Sequence, residues 1–298
     1  MLPSPKGVRA VRKLLRRLSF AVAGLLAIPL LAGAAIWIGA EIRLDKRYTD
    51  VPLTAPPRLA GDVANGKHWA TILGCTNCHE KDLGGAVLED SWIAGRLAAP
   101  NLTQKRKLYS DAELVRMIRY GIKRDGHGAW LMPSDGFYHL DDRTIADVIA
   151  YVRSVPEVKR EVPPTTNGPL ARWWLLSGRY DLVTNSIDRH APRLGDASRK
   201  MPLQQGRYIA TVACTECHGI HQEGMPDDGT PNLAVAKAYT LPEFTELMHH
   251  GWAKGHRDVG FMSHIARERF SAFDDREILA LKAWLDARPV VAKAAPSH

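Results

Sequence analysis

All four cysteines of this 298-residue chain fall in two copies of one short motif. The copies are Cys75-Thr76-Asn77-Cys78-His79 and Cys214-Thr215-Glu216-Cys217-His218, 139 residues apart. Each fixes two thiols and an imidazole in close sequence, and no cysteine remains for a disulfide framework. The surroundings repeat as well. Pro100-Asn101-Leu102 matches Pro231-Asn232-Leu233, and the run from Tyr109 to Leu114 matches that from Tyr239 to Phe244. Both runs continue to a glycine, Gly121 and Gly251. Leu140-Asp141-Asp142 matches Phe273-Asp274-Asp275, and Tyr151 matches Trp284. Two such copies make two domains rather than a solenoid.

C-x-x-C-H is the attachment signature of c-type haem. Two thiols add across the vinyl groups of one porphyrin, and the adjacent histidine reaches the iron. A redox dithiol would want a βαβ context, which is not evident here. A zinc site would need the two distant pairs to converge, and neither rival asks for a histidine after both pairs. Cys75, Cys78, Cys214 and Cys217 are therefore expected to hold two haems, with His79 and His218 as proximal iron ligands.

The repeat also selects the sixth ligands. Met132 and Met262 stand at equivalent places, whereas Met117 maps to Leu247 and Met248 maps to Ile118. Met225 follows the second motif too closely to approach from the opposite face. Each chosen methionine lies in a glycine-containing loop ahead of a terminal helix, predicted over 144–155 and 275–287 from apolar spacing. Packing is the commoner role of methionine; the paired register favours ligation. His256 and His264 flank Met262 as substitutes, but neither has a histidine counterpart in the first copy.

The formal net charge is +8, from 40 Lys and Arg against 32 Asp and Glu. Six of the basic residues, Lys6, Arg9, Arg12, Lys13, Arg16 and Arg17, precede an uncharged apolar run from Leu18 to Ala40. The remainder is nearly neutral, which argues against a nucleic-acid partner. A run of 23 uncharged residues is long enough to span a bilayer as a helix. The basic flank keeps the N-terminus cytoplasmic, so the body is exported. Pro29 is a candidate kink. A cleaved signal peptide is the competing reading, and it exports the body too. The expected location is a bacterial inner membrane, crossed once, with the haem domains in the periplasm.

These residues resemble class I cytochromes c in a membrane-anchored, two-haem form. The resemblance covers about residues 60–157 and 203–290 and implies an all-α chain of two tandem cytochrome c domains after a transmembrane helix. The divisions are a basic flank 1–17, an anchor 18–40, a linker 41–59, domain one 60–157, an interdomain linker 158–202, domain two 203–290 and a tail 291–298. The first helix of each domain would run from Asp62 to Leu73 and from Gly206 to Ala213. An aromatic on each last helix, Tyr151 or Trp284, would pack against it. The resemblance also makes Pro100 and Pro231 the candidates whose carbonyls orient the ligand histidines; turn formation is their plainer role. The Met132-Pro133 pattern of the family is broken in the second copy, which reads Met262-Ser263. In the interdomain linker, the Trp173-Trp174 pair is expected to pack on the domains, or else to touch the membrane interface or a partner.

The function so implied is electron transfer rather than enzymatic catalysis, between a redox donor and an acceptor protein, as a free carrier or as a subunit of a dehydrogenase or oxidase complex. Two readings from other classes compete. One is a two-haem peroxidase, for which Met262-Ser263 is the sole hint; the other is a haem-based gas sensor.

Overall fold

The computed structural model describes residues 5–53, 59–194, 201–225 and 228–289, with backbone alone for 5–11. The predicted tail 291–298 and the side chains of Lys6 and Arg9 lie outside the described residues. The long helices are α1 (Pro5–Leu44), α2 (Val63–Ile72), α3 (Asp111–Tyr120), α4 (Asp142–Ser154), α5 (Pro169–Ser177), α6 (Pro202–Ile209), α7 (Leu241–His250), α8 (Phe261–Glu268) and α9 (Asp275–Ala287). The all-α expectation needs correcting. β1 (Ala86–Ser91) and β2 (Gly95–Ala99) form an antiparallel hairpin that β3 (Thr166–Asn167) extends. A two-stranded ribbon joins β4 (Trp252–Ala253) to β5 (Arg257–Asp258). The first hairpin turns at Gly95, whose positive φ of 98° a side chain rarely adopts. A Cβ there would also strike the backbone of Thr166 and Gly168.

α1 runs through Pro29 unbroken and is exposed along its apolar length up to its last few residues, where Ala40 is buried. It is long and apolar enough to cross a membrane. Beyond it, the chain builds the same helix pair twice. α2 crosses α4, and α6 crosses α9. A glycine sits at each crossing. A Cβ on Gly66 would strike the backbone of Asp147 and come within 2.9 Å of Tyr151 Cβ. On Gly206 it would strike the backbone of Ala280 and come within 2.6 Å of Trp284 Cβ. Tyr151 and Trp284 thus close the two crossings.

Caps set the helix ends. Asp141 accepts from Thr144 N to start α4, and Asp274 forms a capping box with Glu277 to start α9. The matched runs before Gly121 and Gly251 carry capping boxes too, Ser110 with Glu113 and Thr240 with Glu243. One helix differs from expectation. α6 begins four residues early, at Pro202, a residue suited to a first helical turn. It then passes into a π-helical turn, Ala210–Cys214.

The buried residues of the two copies belong to one continuous cluster. At its centre Trp69 meets Tyr208 edge-on, with ring centroids 5.7 Å apart. These two residues are equivalent in the repeat, each six positions before the first cysteine of its motif. A residue that touches its own counterpart marks a twofold relation. Other contacts obey the same relation. Gly136 lies against Thr211 and Thr215, beside the second motif, while its counterpart Arg269 lies over Gly74, beside the first. Within the segment 158–202, expected as an interdomain linker, the described residues carry β3 and α5, which pack onto the hairpin, and α5 also packs onto α1.

Candidate haem-binding site

α2 ends at Leu73, and Gly74 turns the chain with φ of 75° into the short helix Cys75–Cys78. That turn carries the thiols out of the helix pair and leaves His79 at its end. The following loop folds back sharply. Gly85 N donates to His79 O at 2.9 Å, and Leu102 N donates to Leu83 O at 2.9 Å. These bonds draw the Pro100 carbonyl to His79, where Nδ1 lies 2.8 Å from it. The loop of the second motif repeats the arrangement. Gly224 N donates to His218 O at 2.9 Å, Leu233 N donates to Gln222 O at 3.1 Å, and His218 Nδ1 lies 2.8 Å from Pro231 O. Gly85 and Gly224 both have positive φ, and a Cβ on either would collide with the backbone around Pro100 or Pro231. Each glycine is therefore what lets the proline carbonyl reach its histidine.

This arrangement suits an imidazole that binds metal. Nδ1–H donated to a carbonyl fixes the tautomer and leaves Nε2 for the metal. Burial lowers the pKa of both histidines, opposed by the Pro100 and Pro231 carbonyls. The rings are thus neutral, the form that ligates. Burial likewise pushes the Cys75 and Cys214 thiols up to about 12, and raises Cys78 and Cys217. A redox dithiol or zinc ligand wants the opposite shift. Among the described residues no group of His, Cys, Asp and Glu comes together to hold a metal ion, so the two cysteine pairs do not converge on zinc.

Met132 and Met262 are both half-buried and packed against the shared core. Met132 leads through Pro133 into the short helix Ser134–Phe137, and Met262 lies in the first turn of α8. Buried serines brace both segments. Ser134 Oγ donates to Met117 O at 3.4 Å. Ser263 Oγ donates to Gly251 O at 2.5 Å and accepts from Val259 N at 2.8 Å. The expected loop position of Met262 is instead the start of α8, and the serine after it, which breaks the Met-Pro pattern, ties that start to Gly251 and Val259. Of the substitute ligands, His256 stacks on Trp252 with centroids 4.3 Å apart. His264 is exposed and lines a cleft with Thr76 and Asn77 of the first motif and with Glu80 just after it.

Sequence reasoning missed Arg269. It is buried over Gly74 and pairs with Glu216 of the second motif at 2.6 Å. Burial works against its charge, and the Glu216 carboxylate more than restores it. Glu216 belongs to the second motif and Arg269 lies over Gly74 beside the first, so the pair bridges the two motifs. In the repeat Arg269 falls opposite a glycine, Gly136, so no symmetry signal could have singled it out.

Residues 61–152 match the family described as cytochrome C oxidase, cbb3-type, subunit III. This stretch is a c-type cytochrome domain. The family implies covalently bound haem c, and the first motif lies within the matched stretch. No curated protein matches the chain.

Proposed function

We propose that the chain carries two haems c and transfers electrons in a membrane-bound redox chain. Cys75 and Cys78 would hold one haem and Cys214 and Cys217 the other, through thioether bonds. His79 and His218 would be the proximal ligands, oriented by the Pro100 and Pro231 carbonyls. Met132 and Met262 would be the distal ligands. The carrying observation is the equality of the two loops: in both, Nδ1 lies 2.8 Å from a proline carbonyl. A second motif serving another purpose would have no need to reproduce that bond.

Bound haem would supply one-electron chemistry between ferrous and ferric iron. The cysteines would hold the porphyrin, and the Pro100 and Pro231 carbonyls would keep each imidazole oriented with Nε2 free for the iron. With Met132 and Met262 as distal ligands no position would be left for substrate, which favours a carrier over a peroxidase or gas sensor. The bracing of the helix start at Met262 by Ser263 points the same way. α1 would anchor the chain in a bacterial inner membrane, with the rest in the periplasm and donor and acceptor proteins docking there. A subunit role in a dehydrogenase or oxidase complex fits the same chemistry.

Optical and magnetic spectroscopy of purified holoprotein tests this reading. Two low-spin haems per chain, both with the near-infrared band of methionine on ferric iron, are expected. One haem per chain, or a high-spin fraction that turns over peroxide, would reject it.

A further inference from the structure

α5 does not simply fill the gap between the two copies. It crosses α1 where the apolar run of that helix ends. Arg172 is buried there, stacked on Trp37 with its guanidinium 3.7 Å from the ring centre, and bonds Glu41 at 2.6 Å. Leu176 touches Gly39, and Arg43 donates to Leu175 O at 2.5 Å. The contact that reaches farthest into the apolar run, Arg172 on Trp37, lies toward the N-terminal end of α5. Joined to that end is the tip of the β1–β2 hairpin: Leu170 N donates to Ile93 O, and Gly168 N to Ala94 O, both at 2.9 Å.

Large apolar side chains crowd this place without cover. Trp92 at the hairpin tip is 89% exposed, Trp173 on α5 is 53% exposed and Trp37 is 52% exposed; Ile93 is exposed beside them. An indole so open to water is unfavourable unless something covers it. The uncharged run from Leu18 to Ala40 makes about 34 Å of helix, slightly more than a bilayer's apolar thickness of about 30 Å. Trp37 then falls at the outer boundary, the level where tryptophan concentrates. Trp173 adjoins Arg172, which is stacked on Trp37, and the hairpin tip is within a turn of it.

We infer that Trp92, Ile93 and Trp173 form, with Trp37, a docking surface for the outer face of the lipid bilayer, which holds the body of the protein at a set angle to its anchor. This inference rests on the proposed anchoring role of α1. Depth is limited to the headgroup level, because Glu89 and Asp90 follow close behind on β1, the latter paired with Arg96 at 2.9 Å. Arg172 acts as the clasp: its pair with Glu41 and its stack on Trp37 fix α5, and through α5 the hairpin, relative to the membrane.

Spin labels test this in full-length holoprotein reconstituted into phosphatidylcholine–phosphatidylglycerol nanodiscs. Single variants Trp92→Cys, Trp173→Cys and Leu26→Cys are labelled, and collision with oxygen is compared with collision with a water-soluble nickel chelate. Free label in buffer is the aqueous reference. The expected result is an oxygen-to-nickel ratio several-fold above the reference at 92 and 173, and higher still at 26. A high ratio at 26 with the buffer value at 92 and 173 overturns the docking surface and leaves the anchor intact. A buffer value at 26 overturns the anchor itself and the docking surface with it. All three positions are on exposed side chains, so folding is preserved, and an unchanged haem spectrum verifies it.

Discussion

At the scale of single residues, the two methionines and one histidine make separable predictions. Met132→Ala and Met262→Ala should each abolish roughly half of the methionine–iron band and lower one potential, because Met ligation raises it. Loss of the whole band from a single substitution would mean that the other methionine is only packing. His68 makes a different case. Its Nε2 lies 2.9 Å from Glu277 Oε1, bridging α2 and α9 across the core. The Glu277 hydrogen bond raises the His68 pKa, against burial, with help from the charges of Glu277 and Asp274. A raised histidine contributes its full stability below the unfolded value, about 6.5, and loses it as pH climbs through the folded value. Thermal unfolding should therefore show a higher midpoint at pH 6 than at pH 8. His68→Gln keeps a polar contact but cannot titrate, and should flatten that difference. A His68→Gln variant with the same pH slope would assign the effect to another group.

At the scale of elements, the glycine crossings decide between two opposing expectations. Helix propensity alone says that Gly66→Ala and Gly206→Ala stabilise, by up to about 1 kcal/mol. The crossings say the reverse, since the new Cβ would enter the backbone of the facing helix at both sites. Overpacking of this kind destabilises by about 1–3 kcal/mol, so chemical denaturation of either variant should show a lower midpoint. A rise would mean that the helices are not in close contact there. These crossings also show what the sequence made legible. Asp141 and Asp274 stood ahead of periodic apolar runs, and α4 and α9 begin beside them. The role of the proline carbonyls came from the family resemblance, and the recurring Pro-Asn-Leu tripeptides gave the two positions. The β1–β2 hairpin was not, because Ala86-Val87-Leu88-Glu89-Asp90-Ser91 lacks strict alternation and is bulged between Val87 and Glu89. The early start of α6 at Pro202 was missed because the family resemblance placed the helix start at Gly206, which lies well inside α6.

At the scale of the whole molecule, the contact of Trp69 with Tyr208 has a thermodynamic consequence. Sequence periodicity locates faces within each copy; it carries no signal for one copy's aromatic meeting its counterpart. That meeting joins two small cores, each poorly able to bury its own apolar surface, into one. Tyr208 is almost fully buried and also donates to Thr144 Oγ1 at 3.0 Å, tying α6 to α4. Truncating it removes both the ring contact and the hydrogen bond. Large aromatic-to-alanine changes in a core destabilise by about 3–5 kcal/mol, and here the loss falls on an interface that both copies share. Calorimetry of the intact holoprotein should thus give one unfolding transition for the two copies, with calorimetric and van't Hoff enthalpies in agreement. Tyr208→Ala should lower that transition as a unit or split it, while both haem spectra persist. Two separate transitions in the unaltered protein, with only the later one moved by Tyr208→Ala, would show that the copies fold independently and that the Trp69–Tyr208 contact adds little.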